Sequence, residues 1–404
     1  MSATTIDTIA QGQSLGDEWL ALQLDRIDLI EACRLDDPER CHAIKKSYLE
    51  LSGYALVAKK LGVGVHPAIE DFLSRDERAD LLMALAARDA AFFSKYAIAL
   101  ACLAQNPRHA ARVKAFLRAA PVLAACDPYD FAPQKMLDIA FAFRCAGLES
   151  PFRDTPACSR LIEGWGSVFH LGERHVYFLT HIAFFANGFG FEDWTHAPFR
   201  PGEALTEKAL ISCIAVNNLD GALEVVLTRL ISGLPLGRLA EQIVLSAMAK
   251  LITYRRLDSY LWGVPGEAFE DVFHTVIVFN ILAAVMRRRG VAVEPDFSSI
   301  DAAGLKACAV LGGLCQAAGD HDFARLEAGA ALLDRAGLRR MLSRETRASL
   351  RADFLQLQTF LALGDGGGFG YFLPERLSGA PVDPATRLRL EAWFDSAPFH
   401  TLAD

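Results

Sequence analysis

The chain has 404 residues, 52% of them hydrophobic and 22% charged, with a formal net charge of −8. That balance excludes a disordered chain, which cannot bury enough apolar surface, and a broad nucleic-acid footprint, which needs a basic excess. The length is enough for a sizeable core, either as one large helical domain or as roughly two to three domains.

The N-terminal stretch MSATTIDTIAQGQSLGDEW has no basic run followed by an apolar one, so it does not read as a secretory signal. Helical apolar spacing begins in Trp19–Cys33, through Leu20, Leu24, Ile27 and Ile30. It returns in His42–Leu61, Glu77–Leu103, Ala110–Leu123 and Lys135–Ala146. Further segments follow at Glu207–Val216, Gly221–Ile231, Leu236–Ile252, Ala268–Arg288, Ala302–Ala317, Asp322–Ala336 and Ser343–Leu363. Breakers such as Gly62-Val63-Gly64, Asp127-Pro128, Ser150-Pro151 and Gly233-Leu234-Pro235 separate them. Runs of β-branched residues at strand length are few, so the chain reads as all-α, built of helical hairpins.

No clean repeat period is visible, and the irregular helix lengths favour an α/α toroid enclosing a pocket over an open helical-repeat solenoid with a concave face. Residues 1–126 read as an N-terminal helical layer and 127–404 as a helical-hairpin core, with Asp127-Pro128 as a soft boundary. A weak internal repeat aligns the stretch from Cys213 with that from Cys315, matching Asn218 to Asp320 and Asp220 to Asp322. Each stretch ends one helix and starts the next, which makes these four polar residues helix caps. The basic run Arg287–Arg289 follows an apolar helix, where cations suit the negative helix end.

Nine cysteines occur without a C-x-x-C pair and read as small buried hydrophobes in a reducing compartment. The longest apolar runs, Val176–Ala186 and Val276–Met286, fall short of the about 18–20 residues that a membrane span requires. A cytoplasmic protein with no membrane and no nucleic-acid partner is therefore expected.

The stretch HVYFLTHIAFFANGFGFEDW, from His175 to Trp194, sets titratable groups inside the greasiest part of the chain. Glu173–Phe185 is expected to be one helix ending at Asn187-Gly188, with Tyr177 and His181 on one face and Thr180 beside them. A helix apolar nearly all round is buried all round, and an unpaired polar group there costs about 1–3 kcal/mol. A lone buried histidine is usually a satisfied core residue. Here His170, His175, His181 and His196 cluster, and a similar arrangement recurs in VFHTVIVFNILAAVM, where His274 and Thr275 precede Asn280.

Metal chelation lacks an H-x-x-x-H or H-E-x-x-H spacing, and a serine nucleophile lacks G-x-S-x-G. Cys41-His42 sits on a charged, surface-like helix and reads as incidental. The glycine-rich stretch Leu363–Phe372, with its loop 364–370, lacks the strand and the Lys-Ser/Thr of a phosphate cradle and reads as a mobile loop or lid.

The pattern Y-x-L-T-H-x-x-F-x-x-x-x-F-G at Tyr177–Gly190, the F-H-T at Phe273 and the hairpin Asn217–Leu223 resemble an uncharacterised bacterial all-helical family associated with specialised-metabolite gene clusters. The resemblance covers about 155–336, and Gly188 stands where that family often carries an acid. It implies that Tyr177, Thr180, His181, His274 and Thr275 belong to a shared core.

Two functions follow as expectations. The first is a tailoring enzyme acting on a small or medium apolar substrate by cyclisation, dehydration or isomerisation. His181 and His274 would be its acid–base groups, and Tyr177 would orient one of them or donate a proton. Thr180, Thr275, Phe184, Asn187 and Trp194 would bind substrate, with no metal and no cofactor called for. The second is a non-catalytic helical scaffold that binds a peptide, carrier protein or partner subunit.

Overall fold

The computed structural model describes residues 3–89, 92–123, 133–152, 168, 171–191, 199–256, 269–293, 296–320, 325, 328–329 and 332–363. Among the described residues the regular elements are all helical, so the protein is all-α. In chain order the helices are α1 (Ala3–Leu22), α2 (Leu29–Ala32), α3 (Pro38–Lys60), α4 (Pro67–Leu73), α5 (Asp76–Arg88), α6 (Phe93–Leu103), α7 (Pro107–Leu123) and α8 (Pro133–Cys145). They continue as α9 (Glu173–Ala186), α10 (Glu203–Ala215), α11 (Leu219–Ile231), α12 (Gly237–Arg256), α13 (Phe269–Arg289), α14 (Ala302–Asp320), α15 (Arg335–Met341) and α16 (Arg344–Leu363).

The chain divides into two compact units, each assembled from separate stretches. Unit 1 comprises Met1–Cys158, His181–Phe199 and Ala247–Pro295, and unit 2 comprises Ser159–Thr180, Arg200–Ser246 and Asp296–Asp404. The expected boundary at 126/127 is not where the division falls. Unit 1 is closed by α13, which comes late in the sequence and packs on both α1 and α3.

In unit 1, the expected helix Trp19–Cys33 is two helices. α1 ends at Leu22, a 3₁₀ turn spans Leu24–Arg26, and Asp28 opens α2 by accepting from Ile30 N at 2.9 Å. Asp28 is spent a second time: the buried Arg78 guanidinium donates to it at 2.5 Å and lies 4.0 Å from the centre of the Phe72 ring. The expected helix Glu77–Leu103 likewise splits, because α5 ends at Arg88 and α6 starts at Phe93. α3 begins before its apolar pattern does, since Asp37 caps it and Pro38 fits the first helical position.

α1 itself was not legible as a helix. Its glycines Gly12 and Gly16, which argue against helix in isolation, lie against Phe279 and Asn280 of α13 and allow a close approach. α13 is long and apolar enough to cross a membrane, yet 72% of that apolar window is buried within the protein. It is a core helix on this count, and its terminal Arg287 and Arg288 donate to Gln13 Oε1 and to the Leu61 carbonyl.

In unit 2, α10 is the hub, packing on α11, α14 and α16, while α15 packs on α14. Gly312 of α14 seats against Ala215 and the Ile211 carbonyl of α10, where a Cβ would meet both within 2.7 Å. The predicted cap at Asn218 is present: Asn217 takes φ 55° to leave α10, and Asn218 Oδ1 accepts from Gly221 N at 2.7 Å. Asp220 is not a cap but sits inside the first turn of α11. Asp320 is the last residue of α14, and Asp322 lies outside the described residues.

Four buried charges organise this unit: Lys208, Asp353, Arg229 and Glu207. Lys208 Nζ lies 2.6 Å from Asp353 Oδ2, which also accepts from Val168 N. Arg229, fully buried, donates to Thr206 Oγ1 at 2.7 Å and to the Pro235 carbonyl at 2.9 Å, with Glu203 and Glu207 beside it. Glu207 in turn accepts from Ser343 N at 2.9 Å.

The seven cysteines among the described residues are free. Cys145, Cys213, Cys308 and Cys315 are buried, as expected, whereas Cys33 is exposed. Burial pushes the thiols of Cys145 and Cys308 up to about 12, which leaves them protonated and unreactive near neutrality.

Candidate functional site

α9 forms where expected and ends with Gly188 at φ 53°, the left-handed cap that the Asn-Gly pair promised. Burial along it is uneven. Glu173, Arg174 and Tyr177 are exposed, and continuous burial starts at Leu179. The expectation that Tyr177 is buried with His181 therefore fails, because the first turns carry charged residues and face solvent. Tyr177 is 43% exposed and His181 9%.

His181 is held among aromatic rings. Its centroid lies 5.8 Å from Phe184 and 6.2 Å from Phe185. Phe184 stacks on Phe189 at 5.2 Å, and Phe141 meets Phe185 edge-on at 5.3 Å. Phe189 adopts φ 52°, a strained value for a bulky residue, and its packing against Phe141, Phe184 and Phe185 holds it there. Asn187, expected to bind substrate, is buried and donates to the Phe199 carbonyl at 2.7 Å, which is a structural use. Trp194, His170 and His196, like the loop 364–370, lie outside the described residues.

In unit 2, Thr180 is fully buried, accompanied by a residue that sequence reasoning missed. Its hydroxyl donates to Glu224 Oε2 at 2.6 Å and shares itself with the Tyr177 carbonyl at 3.0 Å. Glu224 lies in ALEVV, whose apolar pattern gives no hint that its one acid points inward.

In unit 1, α13 carries two polar positions six residues, about 1.7 turns, apart. His274 Nδ1 lies 3.1 Å from Glu50 Oε2 of α3, with both side chains about one-fifth exposed at 22% and 20%. Burial pushes the Glu50 carboxyl up, but the His274 charge and hydrogen bond, with Lys46 and Lys95, outweigh it and hold Glu50 below the usual carboxylate range. Thr275 is half-buried beside it. Further along, Asn280 Nδ2 donates to Asp17 Oδ1 at 3.0 Å, and Tyr54 donates to the same oxygen at 2.5 Å. Gln13 donates to the Tyr54 hydroxyl at 3.3 Å and accepts from Arg287, completing a buried chain from α1 through α3 to α13. Burial pushes Asp17 up to about 6, and its two hydrogen bonds offset only part of that. Tyr54 is pushed well above its ordinary value by burial and by the Asp17 charge.

Residues 16–285, well over half of the chain, match the family described as a domain of unknown function, DUF6895. The chain belongs to the DUF6895 family. No curated protein and no solved structure matches it. The DUF6895 match takes in Asp17, Glu50, Tyr54, Thr180, His181, Glu224, His274 and Asn280, so both polar positions of α13 and their partners lie inside the family domain. Gln13 and Arg287 lie just beyond its ends, and Asp353 lies far outside it.

The site residues thus separate by unit. His181 and His274 belong to unit 1, while Tyr177 and Thr180 belong to unit 2. Within unit 1 the DUF6895 domain brings together Glu50 with His274 and Asp17 with Asn280. Neither carboxylate was legible as a partner, because each is far from α13 in sequence.

Proposed function

We propose that the protein is an enzyme whose principal acid–base group is His274, oriented by Glu50. The observation that carries this reading is the 3.1 Å approach of imidazole to carboxylate at a position that solvent still reaches. Imidazole titrates near neutrality, and a carboxylate on one ring nitrogen fixes the tautomer and supports the imidazolium. The reaction class remains cyclisation, dehydration or isomerisation of a small or medium substrate, and the resemblance suggests a specialised-metabolite intermediate. His181, enclosed by phenylalanines, supports a role in an apolar wall better than one in proton transfer. The burial of α13 supports a core helix over a membrane span, and the cytoplasm is kept as the proposed location.

A second reading is a non-catalytic scaffold for a peptide, carrier protein or partner subunit. It is favoured by Arg229, Lys208 and Asp17, which spend their polarity on fixing helices to one another.

The test uses a small-molecule extract from cells lacking the gene, incubated with wild-type protein, with His274→Gln and with Glu50→Gln. The enzyme reading expects mass features consumed by wild type and spared by His274→Gln at an unchanged melting temperature. If wild type consumes nothing, or His274→Gln consumes as fast, the scaffold reading takes its place.

A further inference from the structure

Helices α15 and α16 concentrate one residue type in a chain whose net charge is −8. From Asp334 to Asp353 there are six arginines, three acids and no lysine. Arg344, Arg347 and Arg351 follow at steps of three and four along α16, which sets them on one face over about 10 Å. Thr346, Leu350 and Asp353 form the buried side, with Asp353 turned onto Lys208. Glu345 is exposed and stands about 100° or more round the helix from all three arginines, so it does not neutralise their face.

Arg340 shows what a guanidinium does on this surface. Its Nε and Nη2 lie 3.0 and 3.4 Å from the two Asp301 oxygens, a bidentate grip on a carboxylate. Arg335 and Arg339 are engaged elsewhere and are not part of the face. The three arginines of α16 spend less. Arg347 gives Nη1 to the Arg339 carbonyl at 3.4 Å. The Nε atoms of Arg347 and Arg351 have no acceptor among the described residues, and Arg344 is exposed. A covered donor without an acceptor is a cost that an incoming carboxylate removes, and both of those side chains are only half-buried, so their forks can turn outward to meet one. Among the described residues no large apolar side chain of α15 or α16 is exposed. The face therefore lacks the apolar wedge of a membrane anchor and the aromatic platform on which unpaired bases stack.

We infer that the face of Arg344, Arg347 and Arg351 docks an acidic helix of a partner protein, whose carboxylates take the guanidinium forks. The planar fork matches a carboxylate bidentately, which a lysine ammonium does not, and the stretch uses arginine alone. Arg344 to Arg351 spans about two turns, so the complement is a helix with acids at the same three-and-four spacing. The three arginines lie in unit 2 and beyond the DUF6895 match, whereas the Glu50–His274 pair lies in unit 1 and inside it. The inference goes beyond the proposed function and holds whether the protein is an enzyme or a scaffold.

The test titrates the full chain into a fluorescein-labelled helical peptide with glutamates at three-and-four spacing, read by fluorescence anisotropy at constant ionic strength. A copy of the peptide with glutamine for every glutamate is the control. Saturable binding at about 100 μM or tighter is expected, with the glutamine copy weaker by about tenfold or more. Arg344→Gln weakens binding about two- to fivefold, the range of one exposed ion pair, and Arg344→Gln with Arg347→Gln and Arg351→Gln weakens it about tenfold or more. Lys59→Gln with Lys60→Gln, which removes two exposed cations of unit 1, leaves it unchanged. If the triple variant unfolds, the exposed Arg344→Gln carries the test. Absence of saturable binding overturns the inference, and so does binding that the arginine variants leave unchanged. Tighter binding of a single-stranded RNA oligonucleotide or of phosphatidylglycerol vesicles through the same arginines also overturns it. A dimer in sedimentation equilibrium that Arg344→Gln abolishes assigns the face to a second copy of the chain and overturns it as well.

Discussion

Gly16 and Asn280 show how much one missing side chain decides. A Cβ at position 16 would overlap Asn280 Oδ1, and the amide could not then hold Asp17. Gly16→Ala is expected to lower stability by about 1–3 kcal/mol, the usual cost of overpacking, in urea unfolding. Gly53→Ala is the control: its Cβ would meet Ile98 at an ordinary 3.6 Å, and mid-helix alanine is better than glycine by about 0.5–1 kcal/mol. Equal effects of the two changes would remove the packing explanation. From sequence, Gly16 argues against a helix, and only its neighbour across the core turns that liability into a requirement.

At the scale of elements, α10 and α16 illustrate a buried pairing that no local pattern announces. In the run TEKAL, Glu207 and Lys208 are adjacent and both buried, yet Glu207 faces Arg229 and Ser343 while Lys208 faces Asp353. Charged residues in a helix normally mark its wet side. Here both are inward because each finds its counter-charge on another helix. Asp353→Ala is expected to destabilise by about 3–5 kcal/mol, since it leaves Lys208 buried and unpaired. Replacing both, as Lys208→Met with Asp353→Leu, is expected to recover most of that loss in the same denaturation assay. If the double variant is as weak as the single, the cost lies in packing and not in the orphaned charge. Asp353 lies beyond the DUF6895 match, so α16 is bound into the unit through a residue of the family domain. The opening turns of α9 make the complementary point: His181 was rightly read as buried, and Tyr177 was not, because Glu173 and Arg174 carry that end to water.

For the whole molecule, Asp17 and Asp138 give stability a definite pH dependence. Both carboxyls are raised from 3.8 to about 6 by burial. A group raised on folding contributes stability that is fully present below its unfolded value and is lost as pH climbs through its folded one. The loss therefore falls between pH 3.8 and about 6, on the order of 3 kcal/mol for each group. Asp138→Asn should then raise the melting temperature more at pH 8, where the wild-type carboxylate is charged, than at pH 5, where it is largely neutral. An equal gain at both pH values would contradict the assignment. By itself, the amino-acid sequence determined the helical class, most helix positions, the helix stop at Asn187-Gly188 and the cap at Asn218. Those follow from periodicity and from short-range hydrogen bonding, which act over a few residues. The tertiary structure alone decided that Glu50 meets His274, that Asp17 meets Asn280, that α1 is a helix at all, and that the chain divides into interleaved units. Those outcomes depend on which distant apolar faces cover one another, and a charge buried by that choice takes whichever partner the packing delivers.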